Sequence, residues 1–154
     1  MAQTEGVPVL GQQVNELSMD RVTTSNDKMT EYELFVTAPH EGGKPLWINA
    51  NQRQHWAVKA KNTKLWRQAT ALRARQMKLP TGLKRAHITV HVHKSNRRTY
   101  DVHNLYGTAK AAIDGLIDYG VLPDDTNAHL TGPDMREGDP RPIAGITITI
   151  KETT

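Results

Sequence analysis

The chain has 154 residues, with 20 Lys and Arg against 16 Asp and Glu and a formal net charge of +4. This length predicts one domain with a modest core, and the lack of cysteine excludes disulfides, thiolate zinc sites and cysteine nucleophiles. No run approaches the roughly 20 apolar residues of a membrane span, and the N-terminus lacks the segments of a secretory signal. We therefore expect a cytoplasmic protein with no membrane partner.

The first 28 residues are polar and show neither helical nor strand periodicity. We expect them to form a mobile N-terminal arm or extension, with the folded domain in residues 29–154. Residues 31–37 alternate apolar and variable positions, which predicts a half-buried strand. The loop at residues 46–56 mixes aromatic, amide and basic side chains, a composition typical of surfaces that contact phosphates and bases.

A basic helix and a strand follow this loop. Residues 59–78 are rich in helix-forming residues, with Leu65, Ala69 and Leu72 spaced to share one face, and Pro80 follows the predicted end. Residues 84–93 alternate strictly and predict the clearest strand of the chain. Its apolar positions are Ile88, Val90 and Val92, and its polar positions are His87, Thr89, His91 and His93.

The C-terminal third predicts one more helix and two strands. Apolar residues recur at helical spacing from Leu105 to Ile117, and Gly120 follows as a stop signal. Residues 143–151 predict a closing strand, and residues 128–136 its hairpin partner. The order of elements predicts an α+β domain with a small mixed sheet packed against two helices.

Charge is strongly segregated along the chain. Residues 42–100 contain 14 Lys and Arg and no carboxylate, whereas the next 25 residues contain five aspartates. The cationic stretch would attract a polyanion, and clustered aspartates can hold the divalent cations used in phosphodiester cleavage. The alternative is that the basic stretch is a solvated helix face and that the aspartates are caps and turn residues. The five aspartates are Asp101, Asp114, Asp118, Asp124 and Asp125.

One segment adds a resemblance to this pattern. Residues 100–125, YDVHNLYGTAKAAIDGLIDYGVLPDD, resemble the motif of the RusA family of Holliday-junction resolvases, and the surrounding order of elements is similar. The resemblance implies a RusA-like fold in residues 29–154 and a homodimeric endodeoxyribonuclease that resolves four-way DNA junctions in recombination and repair. It also implies Mg²⁺ or Mn²⁺ as cofactor and branched DNA as partner.

The same resemblance implies roles for particular residues. Asp101 and Asp125 match the family's essential acids and would be catalytic metal ligands, with Asp124 as a weaker match. Lys110 matches a catalytic lysine that stabilises charge on the scissile phosphate, although three extra residues precede it; the alternative is an ion pair with Asp114. The residues expected to bind DNA are Asn51, Arg53, Lys59, Arg97, Arg98 and Asn104.

Two of these positions leave alternatives open. Asn104 would either orient a ligand or act as the helix N-cap. His103 stands where the family pattern has its second aspartate, and we assign it to the catalytic and metal-binding set. Because imidazole is a poor magnesium ligand and a better manganese ligand, the protein would be a nuclease of altered metal preference, a slow nuclease, or a junction-binding protein with weak or no cleavage. His103 as general base is a further hypothesis.

Three other interpretations are a zinc site, a hydrolase of small phosphate substrates and a non-catalytic nucleic-acid-binding protein. A zinc site at His87, His91 and His93 would lack an obvious further ligand, so a polar or DNA-facing sheet surface is preferred. Trp47 and Trp56 could stack on bases, whereas Trp66 is expected in the core. A hydrolase acting on a small phosphate substrate would not need 14 cations, and a non-catalytic nucleic-acid-binding protein is the main rival.

Overall fold

The computed structural model describes residues 21–24 and 30–153, with side chains from residue 30 onward. Within these ranges the chain folds as an α+β domain in which a mixed sheet is combined with two helices, as the sequence predicts. The elements are β1 (Arg21–Thr24), β2 (Thr30–Thr37), β3 (His40–Glu41), β4 (Lys44–Pro45), α1 (Trp56–Met77), β5 (Ala86–His93), a 3-10 turn (Val102–Leu105), α2 (Tyr106–Tyr119), β6 (Leu130–Glu137) and β7 (Gly145–Glu152).

The main sheet has the strand order β1-β2-β7-β5-β6. Neighbouring strands are antiparallel except β5 and β6, which are parallel. Strand β7 is therefore the central strand, and each of its edges is hydrogen-bonded, one to β2 and the other to β5. The short strands β3 and β4 form a separate hairpin ahead of α1.

The predicted hairpin between residues 128–136 and the closing strand is wrong. Residues 130–137 form β6, which pairs with β5 and not with β7. The turn-rich segment between β6 and β7 suggested a tight reversal, but both edges of β7 are already occupied. The chain instead crosses over and places β6 at the edge of the sheet.

Part of the predicted N-terminal arm has regular structure. Residues 21–24 form β1, where Arg21 lies opposite Glu33 and Thr24 opposite Thr30. The rest of the predicted arm, residues 1–20 and 25–28, lies outside the described residues.

Helix α2 carries the apolar face that the sequence predicts. Leu105, Ala109, Ile113 and Leu116 are fully buried, and Gly120 ends the helix in the left-handed conformation at φ 106°. Of the two alternatives for Asn104, the N-cap role is wrong, because the helix begins after Leu105 and no side chain caps it there.

Helix α1 buries a different face from the predicted one. Leu72, which was assigned to the apolar face, is 52% exposed, whereas Trp66 lies in the core as expected. The Trp66 indole nitrogen donates to the Leu46 carbonyl at 2.8 Å, and the ring stacks on Trp47 with centroids 5.6 Å apart. The reason is that the large indole of Trp66, which also has a hydrogen-bond partner, turns its own side of the helix toward the core and leaves Leu72 at the surface. The buried residues of α1 are Asn62, Trp66, Thr70 and Ala74.

The two helices pack most closely at Gly115. A Cβ atom at this position would lie 2.3 Å from the Arg67 carbonyl oxygen and 3.0 Å from the Thr70 Cβ atom. The first distance is shorter than Cβ contacts allow and the second is tighter than most of them, so a residue without a side chain is required for the observed approach. On the exposed side of the same crossing, Arg67 binds both carboxylate oxygens of Asp118.

Strand β5 buries its apolar positions as predicted, but its last histidine is an exception. His93 was assigned to the polar face, and it is buried with both ring nitrogens in use. Nδ1 lies 2.8 Å from the Asp139 carbonyl oxygen and Nε2 lies 2.8 Å from the Thr147 hydroxyl. Burial lowers the pKa of His93, and the neighbouring Arg141 lowers it further. These partners leave no place for the zinc site that was considered at this strand.

Across residues 21–24 and 30–153, neither helix combines the length and the apolar character that crossing a bilayer requires.

Candidate nucleic-acid interface and acidic site

Asp101 sits at the entrance to α2, where it caps the 3-10 turn. Its Oδ1 atom accepts a hydrogen bond from the His103 backbone at 2.9 Å and lies 3.2 Å from the His103 Nδ1 atom. The side chains of Asp101 and His103 are 62% and 76% exposed. The pair is therefore open to solvent and to a ligand that approaches from outside.

The loop at residues 46–55 is fixed against the start of α2 by hydrogen bonds. The Ala50 amide donates to the Asn104 carbonyl at 2.8 Å, and the Ile48 amide donates to the buried Thr108 hydroxyl at 2.9 Å. The same hydroxyl donates to the Ile48 carbonyl at 3.1 Å. Two segments that are far apart in sequence are thereby brought together. They are the loop at residues 46–55, which we call the basic loop after Arg53, and the motif at residues 100–125, which we call the acidic motif.

The segment after α2 folds back toward the first half of that helix. Lys110, the fifth residue of α2, donates to Asp114 at 2.7 Å and also contacts the Asp125 carboxylate directly. Asp125 follows the end of the helix by six residues. The return of this loop, which the sequence left open, is thus part of the fold.

The charges of this cluster are coupled. Burial by itself would lower the pKa of Lys110, but hydrogen bonds and attraction from Asp114 and Asp125 raise it above its ordinary value. The hydrogen bond from Lys110 lowers the pKa of Asp125. Lys110 therefore stays protonated and Asp125 ionised at neutral pH. The ion pair with Asp114, one of the two interpretations of Lys110, is present, and the contact with Asp125 goes beyond it.

Asp124 has a local role in the turn after α2. Its Oδ1 atom accepts from the Thr126 amide at 2.9 Å and from the Thr126 hydroxyl at 2.7 Å. These hydrogen bonds lower the pKa of Asp124, the hydroxyl contributing most. This is the turn geometry expected of an aspartate that organises its own loop.

The carboxylates present suit a magnesium or manganese ion only if water and substrate phosphate complete its coordination. Carboxylate oxygens are hard ligands, and Mg²⁺ is often held by one or two carboxylates together with water and substrate phosphate. In the part of the chain that the structure describes, no three His, Asp or Glu side chains are grouped as a metal site. Asp101 pairs with His103 and Asp125 with Lys110, so Asp101, His103, Asp124 and Asp125 do not form a closed protein cage for a cation.

Half of the residues expected to bind DNA line one groove. Arg53, Lys59 and Asn104 surround a groove of about 480 Å³ between the basic loop and α2, and His103 and Tyr106 form its other side. Of the remaining three, Asn51 lies in the same loop, between the groove residues Ala50 and Gln52, and Arg97 and Arg98 lie on another loop. Asn51, Arg97 and Arg98 are exposed on loops.

The structure adds residues that the sequence reasoning missed. A smaller groove of about 260 Å³ continues from His103 and Tyr106 to Asp134 and Arg136 on β6. His87 lies 2.8 Å from Asp134 across the parallel strand pair. Because β6 was predicted as a hairpin partner of β7, no spacing in the sequence could have placed Asp134 or Arg136 near the acidic motif.

Comparisons with known proteins leave the family open. No model of a known protein family matches the chain, and no curated protein matches it. A chain from a solved structure described as "Crystal structure of HypE-HypF complex" shows 10% sequence identity and a TM-score of 0.36. The match covers 94% of this chain, which spans 41% of that chain. A likeness at this level carries no argument about fold or function.

Proposed function

We propose that the protein is a metal-dependent endodeoxyribonuclease that acts on branched DNA, with four-way junctions as its substrate class. The observation that supports this most is the contact between Lys110 and Asp125. This contact brings the segment with Asp124 and Asp125 back to the first half of α2. The entrance of the same helix carries Asp101 and His103. Acidic, cationic and imidazole groups are then available next to a cationic groove.

The roles follow from the charge of each group. Asp101 and Asp125 carry the carboxylate oxygens that would hold a divalent cation. Lys110 carries a positive charge that can move from Asp125 to a phosphate oxygen, where it would stabilise the charge that develops during cleavage. Arg53 and Lys59 bind the phosphate backbone along the groove and hold the strand in position.

Asp101 and Asp125 would hold a divalent cation, which would supply activation of the attacking water and neutralisation of charge on the leaving oxygen. Asp124 contributes to the position of Asp125 through the turn that it forms with Thr126. His103 contributes a nitrogen donor, which favours manganese over magnesium.

The test is cleavage of a labelled four-way junction, with magnesium and manganese supplied separately. We expect Asp101→Asn and Asp125→Asn to lose at least about 100-fold in cleavage rate while junction binding persists, since each removes a charged ligand of the reacting centre. His103→Asp should raise the rate in magnesium. Asp139→Asn is the matched control, because this aspartate is exposed and its backbone carbonyl, which the substitution keeps, accepts the hydrogen bond from His93.

Two results would contradict the proposal. Junction binding in both metals without any nick would reject the nuclease. Binding that does not weaken as salt increases would reject a phosphate-dominated interface.

The same variants test the role of His103. If His103→Asp cleaves faster with an unchanged pH profile, His103 is not the general base.

A second candidate is a junction-binding protein with weak or no cleavage. It is favoured by the ion pairs of Lys110, which engage Asp125 and Asp114, and by the histidine at position 103. The same cleavage experiment distinguishes the two, because this candidate binds the junction and leaves it intact.

We also propose a homodimer in the cytoplasm. Symmetric cuts in a substrate with two-fold symmetry require two sites related by two-fold symmetry. Sedimentation of the free protein and of its junction complex would test the dimer, and a single protomer on each junction would contradict it.

A further inference from the structure

Trp56 is unusual among the tryptophans because it is exposed. Its side chain is 76% exposed at the first position of α1, whereas Trp66 is fully buried and Trp47 stacks on Trp66. Tyr106, at the first position of α2, is 49% exposed. An exposed aromatic face is the feature that unpaired bases use for binding, because every base has a face that can stack.

These two aromatic residues lie along connected grooves. A groove of about 680 Å³ runs along the exposed face of α1 and is lined by Trp56, Lys59, Lys64 and Arg67. Lys59 also lines the groove between the basic loop and α2, which contains Tyr106. From there the surface continues past Tyr106 to β6. Neighbouring grooves thus share lining residues, and we call the surface that the three make together the aromatic track.

The charge of the aromatic track suits a phosphate backbone. The carboxylates among its lining residues are Asp118 and Asp134, and Asp118 is bound by Arg67 while Asp134 contacts His87. Lys59 and Lys64 have no carboxylate partner among the described residues. A strand that follows the track would thus meet cations next to exposed aromatic rings.

From this juxtaposition we propose that Trp56 and Tyr106 stack on unpaired bases of a DNA strand that lies along the aromatic track. A fully paired duplex keeps its bases inside the stack, so it could use the cations of the track but not the rings. The inference rests on the nucleic-acid part of the proposed function and not on cleavage. It predicts that the protein binds branched DNA more tightly when unpaired nucleotides lie next to the branch.

The experiment follows intrinsic tryptophan fluorescence during titration with a 12-nucleotide oligothymidylate and with a blunt duplex of equal length. We expect the oligothymidylate to quench the emission, and Trp56→Phe to remove the quenching while binding continues. Trp56→Ala should weaken oligothymidylate binding by about tenfold and duplex binding by less than about twofold. Tyr106→Ala should show the same difference between the two DNAs.

Leu72→Ala is the matched control, because Leu72 is a large exposed apolar residue on the same helix but outside the track. We expect it to leave both affinities unchanged. Lys59→Gln should weaken both DNAs alike, since it removes a phosphate contact and no ring.

The outcomes separate this inference from the proposed function. Equal loss of oligothymidylate and duplex binding in Trp56→Ala, or unchanged binding of both, would overturn the stacking role even if junctions are cleaved. Selective loss of oligothymidylate binding would support it even if no junction is cut. Four-way junctions with and without two unpaired nucleotides at the branch provide the second measurement, and equal affinity for the two would overturn the stated preference.

Discussion

Helices α1 and α2 pack against each other, but they contribute to the fold in different ways. Helix α2 buries a continuous apolar face that includes Ile113 and Leu116. Helix α1 buries the polar residues Asn62 and Thr70 beside Trp66, and it exposes Trp56 and other large apolar side chains. The difference shows that α2 is anchored by the core and can hold a site at its entrance. The outer face of α1, which carries Trp56 and the exposed Arg67–Asp118 pair, is open to solvent and can carry a binding surface.

The largest effect on stability should be seen when one leucine on each helix is truncated to alanine and the two losses are compared. Leu116 of α2 is fully buried, so Leu116→Ala should lower the free energy of unfolding by about 2–5 kcal/mol. Leu72 of α1 is 52% exposed, and Leu72→Ala should change it by less than about 0.5 kcal/mol. Urea unfolding of both variants measures the contrast. Similar losses would show that the two helices are anchored alike.

The close approach at Gly115 gives the next effect. Alanine has a better helix propensity than glycine by about 1 kcal/mol, but the Cβ atom of Gly115→Ala would lie 2.3 Å from the backbone oxygen of Arg67. Overpacking of this kind typically costs about 1–3 kcal/mol, so we expect net destabilisation. Gly107→Ala is the comparison in the same helix, because its Cβ atom would meet a side-chain methyl group of Ile48 at 2.8 Å and come no closer than 3.8 Å to the Ile48 backbone oxygen. Thermal unfolding should place Gly115→Ala below the natural protein, and a higher midpoint would contradict the close packing.

Two buried threonines sharpen the comparison further. Thr108 of α2 exchanges hydrogen bonds with Ile48, and Thr108→Val should cost about 1–3 kcal/mol because it leaves buried backbone groups unpaired. The hydroxyl of Thr70 in α1 has no hydrogen-bond partner among the described residues. Thr70→Val should therefore leave the stability unchanged or raise it by up to about 1 kcal/mol. The denaturant midpoint should fall for Thr108→Val and should not fall for Thr70→Val; a shared loss would mean that the Thr70 hydroxyl is paired in solution.

The smallest effect should come from the exposed ion pair between the helices. Arg67 and Asp118 are about half exposed, so Arg67→Gln should cost less than about 1 kcal/mol at pH 7. The hydrogen bond from Arg67 lowers the pKa of Asp118 below its ordinary 3.8. Its contribution is therefore complete above pH 3.8 and is lost as the pH falls through the lowered value.

Unfolding measured at pH 7 and near pH 3 tests this sign. Arg67→Gln should show a smaller loss of stability on acidification than the natural protein does. Lys61→Gln, which breaks an exposed pair with Glu41 away from the helix crossing, should leave the helix-pair contribution in place. An equal acid response in all three proteins would remove Arg67 as the cause.

Sequence patterns predicted the elements better than their partners. The apolar spacing of α2 and the alternation in β5 are repeated signals, and both elements formed with the expected residues inside. In α1 the spacing of leucines was a poor guide, because Trp66 provides more apolar surface and a hydrogen bond to Leu46. The pairing of β6 could not be predicted, since the competition for the edges of β7 involves strands from both ends of the chain.

The candidate site shows the same division between local and distant information. The motif from Asp101 to Asp125 marks the acidic residues and Lys110 by their order alone. The return of Asp125 to Lys110 depends on the path of the loop after α2, and the position of Asp134 depends on strand pairing. The aromatic track depends on which tryptophan is buried, and no spacing in the sequence distinguishes Trp56 from Trp47 in that respect.

The central position of β7 has a consequence for synthesis on the ribosome. The two halves of the sheet, β1 with β2 and β5 with β6, form no hydrogen bonds to each other except through residues 145–152. A nascent chain that still has this strand inside the exit tunnel would hold two separate strand pairs with unpaired edges. Such edges can pair with other chains. The sheet can therefore close only after residues 145–152 have left the tunnel, and the helix pair is the part that can form earlier.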